Sequence, residues 1–274
     1  RSTQGVSSAA SDVYKRQEID FIVHGTTVGL NSFLERKGAR VLLVMTAGIS
    51  DTYTIARGDR KELYNVQYTK PEVLVPRKDV LEVRERMQWN GDILTNINEE
   101  DINVIINKIN DEDINAVAIC FLHSYVNPAH ELKARELIQA KVKKDVVISL
   151  SHTLAREWRE YERGSTAVMN SYIGPVTNNY LKSLESNLLQ EGYKHPLYIM
   201  QSNGGVIRAK TAIEQPVQTL LSGPVGGTIG GVTLSKITGK QNLICVDMGG
   251  TSFDMSLIVK GQPYICLLYT SPSP

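Results

Sequence analysis

Short apolar runs alternate with longer amphipathic stretches along the chain. The apolar runs "IDFIVHG" (19–25), "ARVLLVMTA" (39–47) and "INAVAICFLHS" (114–124) are rich in valine and isoleucine. Stretches with helical spacing, such as "TTVGLNSFLERKG" (26–38) and "PAHELKARELIQAKVK" (128–143), separate them. Strands that alternate with helices at this spacing predict an α/β fold with a largely parallel sheet.

The stretch "NEEDINVIINKI" (98–109) carries a strong helix signal. Asn98 is a good N-cap residue, and an acidic first turn follows it. Four isoleucines then recur at spacings of three and four residues, which places them on one face of a helix. These are Ile102, Ile105, Ile106 and Ile109.

Two regions depart from the simple alternation. Between residues 55 and 94 the sequence carries two prolines and an Asn-Gly pair at 90–91, which predicts an irregular excursion followed by a hairpin. Further along, a helical stretch is expected to end at Gly174-Pro175, and a second helix is expected to follow it. A strand, a glycine-rich helix and two strands joined by a Gly-Gly turn complete the second half.

Composition narrows the function classes. The hydrophobic fraction of 42% and the charged fraction of 22% are those of an ordinary globular protein. A net charge of +1 gives no electrostatic reason to expect nucleic acid as a partner, and no apolar run reaches the length of a membrane span. Cys120 and Cys245 lie in separate apolar runs, which favours a reducing compartment, so we expect a cytoplasmic protein.

The two ends of the chain are translations of one short DNA element. Codons for residues 12–17 ("DVYKRQ"), read on the opposite strand, give residues 266–271 ("CLLYTS"), which resembles read-through of a sequencing adaptor. We therefore exclude 1–17 and 266–274 from the fold and interpret the remainder as an internal fragment. Within it we expect a first domain at 18–170 and a second at 171–265.

The octet "DMGGTSFD" (247–254) has the composition of a phosphate loop. An apolar strand leads to Asp247, and Gly249 and Gly250 allow the backbone to turn without side chains in the way. Thr251 and Ser252 add hydroxyl groups. Backbone N–H groups of such a turn bind anions, and a neighbouring carboxylate binds hydrated Mg²⁺. An ordinary tight hairpin explains the same residues about equally well.

A second glycine-rich element, "SGPVGGTIGG" (222–231), precedes this octet. Ser222 is a possible N-cap, and a helix N-terminus attracts phosphate. The candidate contacts are Ser222, Gly223, Gly226 and Gly227. The alternative is a glycine-lined helix that packs closely on its sheet.

A third element, "HGTT" (24–27), follows a strand in the first half. Thr26 or Thr27 is expected to cap the next helix, and His24 ends the strand. A capped helix with a hydrogen-bonded histidine is the plainer explanation. The chain contains no GxxxxGK[ST] and no GxGxxG, so neither a Walker A loop nor a Rossmann dinucleotide site is supported.

Five ordered segments together resemble the A subunit of the hydantoinase/5-oxoprolinase family, which also includes ATP-binding subunits of acetone and acetophenone carboxylases. They are "HGTTVGLNSFLERKGARVLLVMTAGISD", "LVPRKDVLEVRERM", "MQSNGG", "SGPVGG" and "NLICVDMGGTSFDMSL". The resemblance implies an α/β, actin-like and sugar-kinase-like ATPase fold built from ribonuclease H-like domains. It also implies that "DMGGTSFD" is the second of two phosphate loops and that the first preceded residue 18.

The resemblance further implies an ATP- and Mg²⁺-dependent reaction in which a cyclic amide is activated by phosphorylation of its carbonyl oxygen. A hydantoinase B-type subunit or domain would complete the reaction in a hetero-oligomer. Asp247 would bind Mg²⁺ or orient water, and 249–252 would contact phosphate. Arg57 joins His24, Thr26 and Thr27 as a weaker candidate near the transferred phosphate or the substrate.

Two alternatives stay open. One is the ATP-binding subunit of an acetone- or acetophenone-type carboxylase, which shares these motifs. The other is a non-catalytic, actin-like nucleotide-binding protein. The fragment itself, without the first loop, most of the second domain and the partner, is expected to be inactive and to bind ATP weakly or not at all.

Overall fold

A computed structural model describes residues 19–58, 64–248 and 253–264, which divide into two compact units. Residues 32–175 form one unit, and residues 19–31 together with 176–264 form the other. Both units contain helices and strands, so the prediction of an α/β fold is confirmed.

The described elements have the following bounds. The strands are β1 (Ile22–His24), β2 (Val41–Thr46), β3 (Val80–Val83), β4 (Arg86–Met87), β5 (Ile93–Thr95), β6 (Ala116–Cys120), β7 (Val147–Leu150), β8 (Leu197–Met200), β9 (Val206–Arg208), β10 (Leu243–Met248), β11 (Phe253–Val259) and β12 (Gln262–Pro263). The helices are α1 (Val28–Leu34), α2 (Asp51–Ile55), α3 (Glu99–Asp111), α4 (Ala129–Lys141), α5 (Ser151–Leu154), α6 (Glu160–Gln190), α7 (Ala209–Glu214) and α8 (Ser222–Thr238). Two 3₁₀ turns, Arg77–Asp79 and Pro216–Thr219, complete the described elements.

A four-stranded parallel sheet forms the centre of the unit at 32–175. Its strand order is β3-β2-β6-β7, and all three pairings are parallel. Every residue of β2 and β6 is buried. Strands that are covered on both faces need continuous apolar sequence, which explains the runs "VLLVMT" and "AVAIC".

Helix α3 packs its isoleucine face into the core of this sheet. The side chain of Asn98 accepts a hydrogen bond from the backbone N–H of Asp101 at 3.1 Å, as expected of an N-cap. The four predicted isoleucines are all buried, and they belong to one hydrophobic cluster with β2, β6 and α4. The N-cap residue and the buried face predicted for this helix are therefore both confirmed.

The described part of the region between 55 and 94 contains more regular secondary structure than the sequence predicts. The expected hairpin is present as β4 and β5, with Gly91 at φ +91° in the turn. However, the excursion before it also contains β3, which is an edge strand of the parallel sheet. Strand β3 has four residues, and only its two end residues, Val80 and Val83, are fully buried. So short a strand produces no visible alternation in sequence.

The expected helix break at Gly174-Pro175 is wrong, because α6 runs through Pro175 as one helix of 31 residues. A proline inside a helix removes one backbone hydrogen bond. Here buried side chains on both sides, such as Ile173 and Leu181, hold the helix by packing, which outweighs the local preference. Among the described helices, α6 included, none has the length and apolar character needed to cross a membrane.

Two small sheets characterise the other unit. In one, β1 pairs in parallel with β8, and β9 lies antiparallel on the far side of β8. In the other, β10, β11 and β12 form an antiparallel meander, which confirms the predicted pair of strands around the Gly-Gly turn. Helix α8 contacts β10 and β11.

The β10–β11 hairpin carries apolar side chains on both faces. One face, with Cys245 and Ile258, lies toward α8. The other face carries Val246, Met248 and Met255, which are exposed. Such strands differ from those of an antiparallel sheet with one solvated face, where polar residues would alternate with apolar ones.

We expect Ile105→Ala to destabilise the protein by about 2–5 kcal/mol, because it removes a buried side chain and leaves a cavity. Val104→Ala is the matched control, since Val104 is the neighbouring residue of α3 and is exposed. Urea unfolding followed by circular dichroism measures both. Equal losses for the two variants would contradict the described orientation of α3.

Candidate functional site

The end of β1 carries a small hydrogen-bonded group of polar side chains. The Nε2 atom of His24 lies 2.8 Å from the hydroxyl of Tyr180, which also interacts with the side chain of Thr26. The hydroxyl of Thr26 accepts the backbone N–H of Val28, the first residue of α1, at 3.2 Å. Both threonines predicted to cap this helix thus contact its beginning, since the Thr27 hydroxyl accepts a hydrogen bond from the side chain of Asn31 at 3.3 Å.

Burial sets the charge state of this group. Desolvation lowers the pKa of His24, so the imidazole is neutral at pH 7. Desolvation also raises the pKa of the Tyr180 hydroxyl, which keeps its proton. The pair therefore offers neutral hydrogen-bonding groups. The sequence does not predict that Tyr180 belongs to this group, because it lies 156 positions from His24 inside a long helix.

Ser222 connects α8 to the end of β1 and is not the N-cap that the sequence predicts. Leu221 occupies the cap position, and Ser222 is the first helical residue. The Ser222 hydroxyl accepts the backbone N–H of Thr26 at 3.1 Å and donates to the backbone carbonyl of Thr26 at 2.9 Å. Since the side chain is fully buried, both contacts are shielded from water. Its hydroxyl therefore holds two chain segments together.

The glycines of α8 fall into two groups. A Cβ atom on Gly223 would approach the Thr27 side chain to 2.9 Å, and one on Gly231 would approach the Cys245 sulfur to 2.2 Å. These two glycines permit close packing, which was the alternative explanation of the motif. A Cβ on Gly226 would meet the Met200 sulfur at 3.3 Å, whereas one on Gly227 would meet nothing within 4 Å.

A cavity of about 360 Å³ lies between α8 and the β10–β11 hairpin. Gly227 and Pro224 line it from the helix, and Asp247 and Asp254 line it from the strands. The two aspartates are directly opposite each other in the strand register, one pair of residues from the ends of the described strands. The structure thus brings Asp247 and Gly227 from two sequence motifs to one cavity.

Within the described part of the chain, the other predicted site residues are not among those that line this cavity. Gly249, Gly250, Thr251 and Ser252 lie outside the described residues. Arg57 belongs to the other unit, where its Nε atom donates to the carboxylate of Glu162 at 2.8 Å. Thr26 and Thr27 meet the beginning of α8 through Ser222 and Gly223, whereas His24 contacts Tyr180 of α6.

The donor set at the cavity fits a hydrated divalent cation held by few protein ligands. Two carboxylates that face each other repel unless a cation lies nearby. Mg²⁺ prefers carboxylate oxygens and keeps several water molecules. No group of three or more His, Cys, Asp or Glu side chains suited to a metal occurs in the part of the chain that is described. A magnesium ion here would therefore rely on Asp247 or Asp254 together with water and ligand oxygens.

We expect Gly231→Ala to destabilise the protein, because the new methyl group would overlap the Cys245 sulfur. Gly230→Ala is the control, since its methyl group would meet nothing within 4 Å, and alanine favours a helix by about 0.5–1 kcal/mol over glycine. Thermal unfolding compares the two. Adding Cys245→Ala to Gly231→Ala should restore much of the loss, and its failure to do so would contradict the contact.

The lowered pKa of His24 predicts a pH-dependent stability. The unfolded chain takes up a proton near pH 6.5, whereas the folded chain resists protonation of His24. Stability should therefore fall as pH decreases below about 6.5. His24→Gln should flatten this part of the profile of unfolding free energy against pH. Identical slopes for the two proteins between pH 7 and 5 would show that His24 is accessible to protonation in the folded state.

Both halves of the chain match models of the same protein family. A model described as the hydantoinase/oxoprolinase N-terminal region matches residues 1–142, and one described as hydantoinase/oxoprolinase matches residues 163–270. The first match includes the residues 1–17 that sequence analysis assigns to an adaptor. That assignment and the predicted domain limits stay predictions.

Individual relatives agree with the family models. An uncharacterised protein of Methanocaldococcus jannaschii is 39% identical over 90% of this chain and 37% of its own length. The caprolactamase subunit alpha of Pseudomonas jessenii is 33% identical over 89% of this chain and 35% of its own length. The chain thus spans little more than a third of these relatives.

Solved structures share the fold. Nucleotide-free acetone carboxylase, from a study of ATP-dependent acetone carboxylation, has a TM-score of 0.84 at 25% identity and matches 93% of this chain and 38% of its own. The ATP-dependent caprolactamase of Pseudomonas jessenii has a TM-score of 0.78 at 32% identity and matches 91% of this chain and 37% of its own. The α/β, actin-like ATPase-type fold implied by the sequence motifs is confirmed by these neighbours. The chain belongs to the hydantoinase/oxoprolinase family.

Proposed function

We propose that this chain is part of the ATP-binding component of an enzyme that hydrolyses a cyclic amide with consumption of ATP. The cavity between α8 and the β10–β11 hairpin is the observation that carries the proposal. There Gly227, with open space around it, and two opposed carboxylates from the strands of the "DMGGTSFD" motif line one cavity.

The backbone beside this cavity suits a phosphate group. Gly227 presents no side chain, so a ligand can approach the helix closely. In the proposal, backbone N–H groups of 249–252 and the hydroxyls of Thr251 and Ser252 contact phosphate oxygens. Asp247 lies one residue inside the end of β10, where its carboxylate is exposed and able to hold a hydrated cation or orient water.

Magnesium, when bound with ATP, supplies positive charge that neutralises the phosphate oxygens during transfer. The chain then contributes position and charge stabilisation, which account for most of the catalysis in phosphoryl transfer. An amide oxygen is a poor site for charge build-up. Its phosphorylation creates a centre that water attacks more easily.

The group at the end of β1 has a positioning role in this proposal. The reciprocal bonds between Ser222 and Thr26 fix the beginning of α8 against the strand end. Neutral His24, at the end of β1, and the hydroxyl of Thr27, beside Gly223, are weaker candidates for contact with phosphate or substrate. Arg57 is, like these two residues, a weaker candidate for contact with phosphate or substrate.

The relatives support the reaction class and the need for partners. One solved relative is an ATP-dependent caprolactamase, and a caprolactam is a cyclic amide. Its curated counterpart is named as subunit alpha, which indicates assembly with other subunits. We extend this to a hydantoinase B-type subunit or domain as the partner of this chain. Cys120 and Cys245 form no disulfide, which supports a cytoplasmic site of action.

An ATP-binding subunit of a ketone carboxylase is the second candidate. The structure with the TM-score of 0.84 is acetone carboxylase, and its match covers 93% of this chain. Both reactions would use the same phosphate site, since a ketone enolate and an amide each offer an oxygen to the phosphoryl group. The substrate distinguishes the two candidates.

The decisive experiment measures phosphate release from ATP by the full-length protein, expressed together with its B-type partner. Separate reactions contain hydantoin, 5-oxoproline, caprolactam, or acetone with bicarbonate. We expect release that depends on a cyclic amide and falls by about 100-fold or more in Asp247→Asn, since loss of an essential charge-stabilising group costs that much in comparable sites.

Asp111→Asn is the control, because Asp111 is an exposed aspartate at the end of α3 in the other unit. It should leave the rate unchanged. Release that depends only on acetone and bicarbonate would assign the carboxylase function. Tight ATP binding without release for any substrate would instead favour a non-catalytic nucleotide-binding protein.

A further inference from the structure

The unit at 32–175 contains a second cavity, of about 400 Å³, that no part of the proposed reaction uses. It lies between the segment 68–74, the end of α2 and the first turns of α6. Its volume is in the range of small-molecule sites, which are about 300–1,000 Å³. Its wall combines aromatic rings, aliphatic side chains and two cations.

The segment that covers this cavity is tied to the rest of the unit by cationic side chains. Arg36 donates from Nη2 to the backbone carbonyl of Glu72 at 3.1 Å. Lys70 donates from Nζ to the backbone carbonyls of Thr54 at 3.3 Å and Ile55 at 3.0 Å. The segment 68–74 contains no helix or strand. These contacts fix it over the cavity and so keep the cavity open.

Tyr53 fixes the same segment from below. It is buried, and its hydroxyl makes backbone hydrogen bonds with Leu74 and Val75. Burial raises the pKa of this hydroxyl, so Tyr53 is neutral and presents its ring to the cavity. Tyr161 and Val168, from α6, line the opposite wall. The interior is therefore largely apolar.

The charge of the wall favours an anion. Two cations, Arg36 and Lys70, and one carboxylate, Glu72, line the cavity, so its wall carries a net charge of +1. A guanidinium has five N–H donors and an ammonium has three. The backbone contacts described above use one donor of Arg36 and two of Lys70.

We propose that this cavity binds a small organic carboxylate with an apolar ring or chain. The apolar body would pack against Tyr53, Tyr161 and Val168, and the carboxylate would accept hydrogen bonds from Arg36 and Lys70. A planar guanidinium matches a carboxylate with two parallel hydrogen bonds. The site is separate from the phosphate cavity in the other unit and does not depend on the proposed function.

Three ligands of one shape but different charge test the proposal. Benzoate carries the carboxylate, benzamide is its neutral analogue, and benzylamine carries a positive charge. Each is titrated into the 274-residue chain and followed by calorimetry and ligand-observed NMR. We expect benzoate to bind about tenfold or more tightly than benzamide, because charge-assisted hydrogen bonds are the stronger ones, and benzylamine not to bind.

Two variants locate the binding. Arg36→Gln should weaken benzoate binding about tenfold, and Ser165→Phe, which places a ring into the cavity from α6, should abolish it. Arg135→Gln, on α4 and away from this cavity, is the matched control and should bind like the unchanged protein. Circular dichroism of each variant confirms that it is folded.

Several outcomes would overturn the proposal. These are the absence of benzoate binding, equal affinity for benzoate and benzamide, and equal affinity of Arg36→Gln and Arg135→Gln for benzoate. If Ser165→Phe is unfolded, the comparison of the two arginine variants still decides, because Arg36 is exposed and Arg135 is not fully buried.

Discussion

The reciprocal hydrogen bonds between Ser222 and the backbone of Thr26 are the constraint on which the unit at 19–31 and 176–264 depends. They join residues 196 positions apart in the chain, and both residues are buried. Because a buried hydroxyl that loses its partners is costly, these bonds specify one position of α8 relative to β1. The parallel pairing of β1 with β8 and the close approach of Gly223 to Thr27 both occur beside this contact.

The glycine-rich segment 222–231 shows why one motif supports two explanations at once. Gly223 and Gly231 are required because neighbouring atoms occupy the space of a side chain. Gly227, on the cavity side, is not constrained by packing, so its lack of a side chain leaves room for a ligand. Closely packed glycines and a glycine beside open space therefore occur along the same helix, since α8 packs on its hairpin and borders the cavity. Sequence spacing alone does not separate these roles.

Local signals in the sequence predict much of the fold, and long-range contacts account for what they miss. Asn98 and the isoleucines of α3 act within a few residues of one another, so their cap and buried face are visible in the sequence. Pro175 is a local signal that tertiary packing overrides, and β3 is too short to show its period. At the candidate site, the sequence motifs predict Asp247 and Gly227, which line one cavity, whereas the contacts of Tyr180 and Ser222 join residues more than 150 positions apart.

The opposed pair Asp247 and Asp254 has consequences for the order in which ligands bind. Directly opposite residues of an antiparallel pair project to the same face, so the two carboxylates repel each other and any phosphate that approaches alone. A divalent cation removes both repulsions, because it attracts the carboxylates and the phosphate oxygens at the same time. Under the proposed function, the charges at this cavity favour a nucleotide that arrives as its magnesium complex. Backbone N–H groups alone would have to overcome two negative charges to hold the free nucleotide.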